Sequence, residues 1–321
     1  MLRTPSPTRP ESLEDLLDTK LIARLEALDV ASRKVFRGKL KGERRSKKRG
    51  ESVEFADHRP YVVGDDLRHI DWNIFGRLDM LFLKLFLEEE DLSLHLVLDC
   101  SASVDTGEPN KFLFMQQLAM ALGYVGLVKY NRVACSAIGA VSDENTGEER
   151  AELVKSLRDL RGKRRVHDLS RFLCSLTPQP GGDGPDQEGF GEACRRIAIS
   201  RRGKGVMVLF SDMLIKEGYE AGLRMLIGRG YDVFVIQVLS PQELEPELAG
   251  DLRLKDIEDG DREEVTISAP LIKRYKHTLA AYTNQLRDFC ARRDIMLLTV
   301  PSSTPVDTMV FDYLRRRGLI R

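Results

Sequence analysis

The sequence predicts an α/β fold built on a mainly parallel central sheet with helices on both faces. Three observations carry this. Short runs rich in Val, Ile and Leu recur from residue 92 onward, as in SLHLVLD (93–99), GVMVLFSD (205–212) and YDVFVIQVL (231–239). Segments of helical period separate them. The strand runs are apolar throughout rather than alternating, which is the pattern of strands buried on both faces and joined by right-handed crossovers.

Residues 1–12 carry three prolines with Ser, Thr and Arg, and this composition predicts a disordered tail. SLEDLLDTKLIARLEALDV places Leu13, Leu16, Leu17, Leu21, Leu25 and Leu28 at helical spacing behind a Ser12 cap, so a helix starts there. The stretch 33–50 sets ten basic residues against one Glu, and reads either as a solvated face or as a contact for phosphate or lipid headgroups. The segment 53–77, VEFADHRPYVVGDDLRHIDWNIFGR, has neither helical nor strand period. Its Arg and Asp residues and the lone Trp72 predict a compact loop pinned by ion pairs, with Trp72 as a packing anchor. His58 and His69 read there as hydrogen-bonded loop residues. LFLKLFLEEED (81–91) reads as a strand.

Beyond residue 92 the expected order is strand 93–99, helix 111–129, strand 132–139 and helix 165–176. A Gly/Pro/Asp-rich loop (177–191) then leads into a helix ending at Ser200. Next come strand 205–212, helix 217–230, strand 231–239, a hairpin around the turn signal EDGD, a long helix 270–293, strand 295–300 and a closing helix. The domain reading is a 1–12 tail, a 13–91 N-terminal element and a 92–321 main domain.

Fifty basic and fifty acidic residues cancel, so no global field recruits nucleic acid or an acidic membrane. Five scattered cysteines without a C-x-x-C pair fit a reducing compartment. The N-terminus lacks the apolar run of a signal peptide, and stretches such as LFLKLFL fall short of a bilayer span. The expected location is cytoplasmic.

In a parallel sheet, ligands bind at the carboxyl edge of the strands. LVLD delivers Asp99 to that edge, and Asp99, Ser101 and Ser103 form D-x-S-x-S, whose spacing lets three oxygens face one point. One carboxylate and two hydroxyls suit a hard cation such as Mg²⁺ or Mn²⁺. A second strand, VMVLFSDM, ends on Ser211 and Asp212 in the same way. Serine and aspartate after a strand are also ordinary cap and turn residues, which is the competing structural reading.

D-x-S-x-S followed by a later strand ending in S-D resembles the metal-ion-dependent adhesion site of von Willebrand factor A domains. HRPYVVGDDLRHIDWN together with KLFLEEED resembles the bacterial DUF58 family, which contains such a domain; the likeness covers roughly 50–320. The resemblance implies a Rossmann-like von Willebrand A fold with an added N-terminal element. It also implies a non-enzymatic adaptor or chaperone-like role beside a MoxR-type AAA+ ATPase and a client protein, and Asp99, Ser101, Ser103 and Asp212 as metal ligands. Such sites commonly add a Thr from a G-G-T-D loop. Here that loop reads PGGDGPDQEG, leaving Asp183, Asp186 or Glu188 as substitutes or leaving no replacement, with Ser211 in support. Arg59, Tyr61, Gly64, Asp65, Asp66, Arg68, Asp71 and Trp72 form the upstream motif, as structural anchors or partner contacts.

Enzyme readings lack their motifs. No G-x-x-x-x-G-K-[ST] precedes the S-D strand, Ser101 stands where an aspartyl phosphatase would need its second Asp, and no G-x-S-x-G surrounds a serine nucleophile. Nucleic-acid or anionic-surface binding through 33–50 is the alternative function.

Overall fold

A computed structural model describes residues 9–31, 54–87, 93–141, 152–178, 189–200, 205–248, 250–257 and 262–321. In chain order the elements are α1 (Leu13–Leu16), α2 (Thr19–Leu25), β1 (Glu54–Pro60), α3 (Trp72–Leu78), β2 (Phe82–Leu87), β3 (Ser93–Asp99), α4 (Lys111–Val128), β4 (Arg132–Val141) and β5 (Glu152–Leu160). They continue with α5 (Val166–Cys174), α6 (Phe190–Ser200), β6 (Gly205–Ser211), α7 (Glu220–Gly228), β7 (Asp232–Leu239), α8 (Pro241–Leu244), β8 (Gly250–Lys255), β9 (Arg262–Ile267), α9 (Ala269–Ala291), β10 (Met296–Pro301) and α10 (Val306–Thr308), the last running on into a π-helical turn, Met309–Leu314. The chain divides into two compact units, 34–91 and the remainder.

The larger unit is a six-stranded sheet of order β10-β7-β6-β3-β4-β5. Five strands are parallel, and β5 pairs antiparallel with β4 at one edge. Alternation along the buried strands sends Leu94, Leu96, Leu98, Val206, Val208 and Phe210 into one core with α4, α5 and the N-terminal helices. Val97, Met207, Leu209, Val233 and Val235 enter a second core with α6, α7 and α9. The expected mixed α/β architecture with a mainly parallel sheet is what the chain adopts.

Helix α4 is apolar on nearly every face because it is buried on nearly every face. Among the described residues it is the one helix long and apolar enough to cross a bilayer by length and composition, which the sequence reading did not single out. Most of it is enclosed by the fold.

Several expectations need correction. The helix predicted from residue 13 breaks after Leu16: Leu17 is extended, and the Asp18 carboxylate accepts from the Lys20 N–H to start α2. Leu16, Leu17, Leu25, Leu28 and Val30 are buried in the first core, so 13–30 belongs with the larger unit rather than with residues up to 91. Of the tail assigned to 1–12, residues 1–8 lie outside the described residues, and Arg9 pairs with Asp105 at 2.6 Å rather than standing free. Strand β5 has no counterpart in the sequence reading, because Lys155, Arg158 and Asp159 mask its apolar positions. The basic stretch 33–50 lies outside the described residues apart from its assignment to the two units.

The smaller unit, expected as a loop with one strand, contains the β1–β2 hairpin pairing and α3. Its ion pairs are as expected. Arg59 meets Asp65 at 2.7 Å, Asp65 also accepts from the Val62 N–H, and Arg68 clamps Asp66. Gly64 turns the chain at φ +107°, and the Tyr61 N–H bonds to the Leu81 carbonyl. Asp71 is the anchor. Its carboxylate caps α3 through the N–H groups of Asn73 and Ile74, faces His58 Nε2 at 3.0 Å and Lys84 Nζ at 3.4 Å, and is nearly buried. Burial alone would raise its pKa, but these bonds, led by His58, lower it to about 2. Trp72 is not the anchor: it is 63% exposed, touching Phe75 edge to face.

Asp71→Ala is therefore expected to loosen this unit, read as faster amide exchange across 54–87 in the full chain. Trp72→Ala should change stability by no more than about 0.5 kcal/mol, the range of exposed substitutions, in urea unfolding.

Candidate metal centre

The tips of β3 and β6 are neighbours because these two strands pair directly, Leu98 opposite Phe210. The next residues, Asp99 and Ser211, are joined by a side-chain bond: the Ser211 hydroxyl donates to Asp99 Oδ2 at 2.6 Å and accepts from the Met213 N–H at 2.8 Å. The Ser101 N–H donates to Asp99 Oδ1 at 3.0 Å, folding the loop back over the carboxylate. That turn brings the Ser101 and Ser103 hydroxyls to 3.1 Å from each other. The five residues Asp99, Ser101, Ser103, Ser211 and Asp212 thus gather at one sheet edge. Asp183, Asp186 and Glu188 lie outside the described residues.

The loop is fixed from behind. Cys100 donates its N–H to the Ile138 carbonyl at 2.7 Å, and Gly139 sits at φ +112° where a β-carbon would lie 3.1 Å from the backbone of Cys100 and Ser101. Only glycine fits both demands. Ahead of the loop, Asp105 is held by Arg9 and by Asn110, and Asn110 caps α4 through the Leu113 N–H. After Asp212 the backbone enters the left-handed region at Met213, φ +57°, and Tyr282 donates its hydroxyl to the Met213 carbonyl at 2.6 Å. Strain of this kind persists where surrounding contacts over-determine the backbone.

The two carboxylates are treated differently. Asp99 is buried and receives neutral donors. Burial and then the charge of Asp212 push its pKa up to about 6, against the opposing pull of those bonds. Asp212 accepts the Leu214 N–H at 3.1 Å on Oδ1 and the Lys111 ammonium at 3.0 Å on Oδ2. Lys111 also reaches Glu243 Oε1 at 2.5 Å. Burial opposes the charge on Lys111, yet the two carboxylates outweigh it and its pKa is raised. Glu243 is placed by a capping box at the head of α8, its other oxygen accepting the Ser240 N–H at 2.7 Å.

The donor set suits a hard cation. Its side-chain ligands are oxygens, the Asp99 charge is poorly compensated by the protein, and two hydroxyls stand together beside it. Among the described residues no group of three or more His, Cys, Asp or Glu side chains is arranged to hold a metal, so the candidate depends on the hydroxyls.

Sequence reasoning missed Lys111, Glu243 and Gly139. Lys111 had a signal: a lone cation as the first residue of an otherwise apolar helix stands where the helix dipole disfavours positive charge, and so needs a carboxylate partner. S-P-Q-E at 240–243 is likewise a capping-box sequence.

A family model described as "Protein of unknown function DUF58" matches residues 57–285. The uncharacterized protein Rv1480 of Mycobacterium tuberculosis is 27% identical over 322 residues, covering 99% of this chain and 98% of that one. The uncharacterized protein MAV169 of Mycobacterium avium is 27% identical over 156 residues, covering 48% of this chain and 92% of its own length. Among solved structures, the conserved hypothetical protein BatB from Bacteroides thetaiotaomicron aligns with a TM-score of 0.40 at 12% identity, over 70% of this chain and 98% of that one. An aerotolerance-related membrane protein from Bacteroides fragilis aligns with a TM-score of 0.40 at 15% identity, over 70% and 99%.

The raised pKa of Asp99 has a sign. Between the ordinary carboxylate range and about pH 6 the native chain holds a proton that the unfolded chain has released, so this residue's contribution to stability falls as pH rises through that window. In chelator, Asp99→Asn is expected to stabilise the chain at pH 7.5, with the gain vanishing below the ordinary carboxylate range. Urea unfolding at the two pH values checks it.

Proposed function

The chain belongs to the DUF58 family, and from that membership and the geometry at the strand tips we propose that it is a non-enzymatic, von Willebrand A-like adaptor that recognises a protein partner through a divalent cation. The observation that carries this reading is the Asp99–Ser211 bond, which locks the two strand tips together with the Ser101 and Ser103 hydroxyls alongside.

Asp99, Ser101, Ser103 and Asp212 would hold Mg²⁺ or Mn²⁺. When bound, the cation supplies a coordination position that an acidic side chain of the partner completes. The chain's own residues set up that exchange. Ser211 and the Ser101 N–H fix the direction of the Asp99 carboxylate, and Gly139 lets the loop lie close against β4. The partner in this reading is a MoxR-type AAA+ ATPase acting on a client protein, and the compartment is the cytoplasm. The partner reading rests on the family resemblance carried by the upstream Arg/Asp motif, and the compartment reading on five scattered cysteines without a C-x-x-C pair. At the same edge, burial raises the Cys100 thiol well above its ordinary range.

Calorimetry with Mn²⁺ on the full chain tests the reading. The wild type is expected to take up one ion, and Asp99→Ala to weaken uptake by at least about tenfold through loss of the carboxylate ligand. Capture of a MoxR-type ATPase should fail in EDTA and with Asp99→Ala. Normal capture under both conditions would remove the functional content of the site.

A further inference from the structure

Lys111 is fully buried between two carboxylates, an arrangement that the sheet and α4 do not themselves require. Its ammonium stands at the same strand edge as the oxygens assigned above to a divalent ion. Both oxygens of Asp212 are already engaged, one by the Leu214 N–H and one by Lys111, whereas Asp99 is met by a backbone N–H and a hydroxyl. The pair is therefore asymmetric: one carboxylate is charge-compensated and the other is not. A divalent cation drawn to Asp99 approaches a site that already holds one positive charge. Like charges a few ångströms apart in a dry environment repel strongly.

Resting on the metal-site reading, we propose that Lys111 is a tethered counter-cation that competes with the divalent ion for Asp212, and that Glu243 is the second seat which keeps the ammonium satisfied when the ion takes Asp212. Glu243 is suited to this task. It lies 2.5 Å from Lys111, and its other oxygen is fixed by the Ser240 N–H. Its backbone carbonyl accepts the Tyr275 hydroxyl at 2.9 Å, tying α8 to α9. The Glu108–Gln242 bonds, made in both directions, and the close approach of Gly107 to Ser240 bind α8 to the loop that follows Ser103. Ion affinity is thus set by how the ammonium divides itself between a carboxylate at the tip of β6 and one on α8.

Two substitutions within this one cluster should move affinity in opposite directions, which a general loosening of the fold would not do. Lys111→Met keeps the apolar stem and removes the charge, and is expected to tighten Mn²⁺ binding by at least about tenfold, the scale of deleting a nearby like charge. Glu243→Gln removes the second seat, commits the ammonium to Asp212, and is expected to weaken binding. The measurement is calorimetric titration of the full chain, with far-UV circular dichroism confirming a folded state. The thermal midpoint with and without Mn²⁺ gives a second readout, and the ion-induced rise should be larger for Lys111→Met than for the wild type. Should Lys111→Met not fold without the ion, Lys111→Gln and Glu243→Gln give the same opposed pair. Wild-type uptake with both variants unchanged, or shifted in the same direction, overturns the role of Lys111 and leaves the metal site standing. No uptake by wild type or variants overturns both.

Discussion

The organisation of the larger unit depends on two acidic side chains buried at adjacent strand ends. Asp99 ends β3 and Asp212 directly follows β6, each within a few per cent of full burial, and an unpaired carboxylate in such a place would neutralise or unfold its surroundings. The neighbouring structure answers that constraint piece by piece. Ser211 and the Ser101 amide satisfy Asp99, while the Leu214 amide and Lys111 satisfy Asp212. Helix α4, opened by the Asn110 cap, brings its first side chain to Asp212, and α8, opened by the Ser240 box, brings Glu243 to Lys111. The loops on this edge serve the carboxylates and the cores together: Cys100, Val104 and Met213 are buried in the two hydrophobic clusters, while the Ser101 and Leu214 amides meet Asp99 and Asp212.

The smaller unit solves a different problem with related means. With little apolar area of its own, the 54–87 stretch is held by charged and polar contacts: Arg59 with Asp65 and Arg68 with Asp66 close in sequence, and Asp71 with the N–H groups that open α3 and, across the unit, with His58 and Lys84. Such pairs fix a turn well but enclose little: among the described residues of this unit Ile70 and Leu83 are buried, whereas Val63, Leu67, Trp72 and Leu78 remain exposed. An aromatic residue in a polar motif reads as an anchor only when the motif has a core to anchor it to.

These differences explain what could be read from the sequence. Strands β3, β6 and β7 were legible because strands covered on both faces carry unbroken apolar runs, and Asp99, Ser101, Ser103, Ser211 and Asp212 were legible because each follows such a run within a few residues. Strand β5 was hidden because an edge strand with Lys155, Arg158 and Asp159 keeps no such run. The break after Leu16 was hidden because the leucine period continues across it, and only the Asp18 cap marks the interruption. Lys111 and Glu243 were missed because their role exists only across long sequence separations, although each sits at a helix start where its chemistry is unusual enough to be noticed.

The ion cluster also bears on why the site is built with a lysine. A buried carboxylate–ammonium–carboxylate group adds little to stability over apolar side chains of the same volume, because desolvation offsets most of the attraction. Removing one member alone, in contrast, leaves an uncompensated charge and is strongly destabilising. Such a cluster therefore acts less as a source of stability than as a selector of geometry. It admits only conformations in which the tip of β6, the start of α4 and the head of α8 meet within hydrogen-bonding distance. In the metal reading proposed above, a fourth charge beside Asp99 would have to be accommodated by all three elements together, with Lys111 as the charged side chain that joins the tip of β6 to α8.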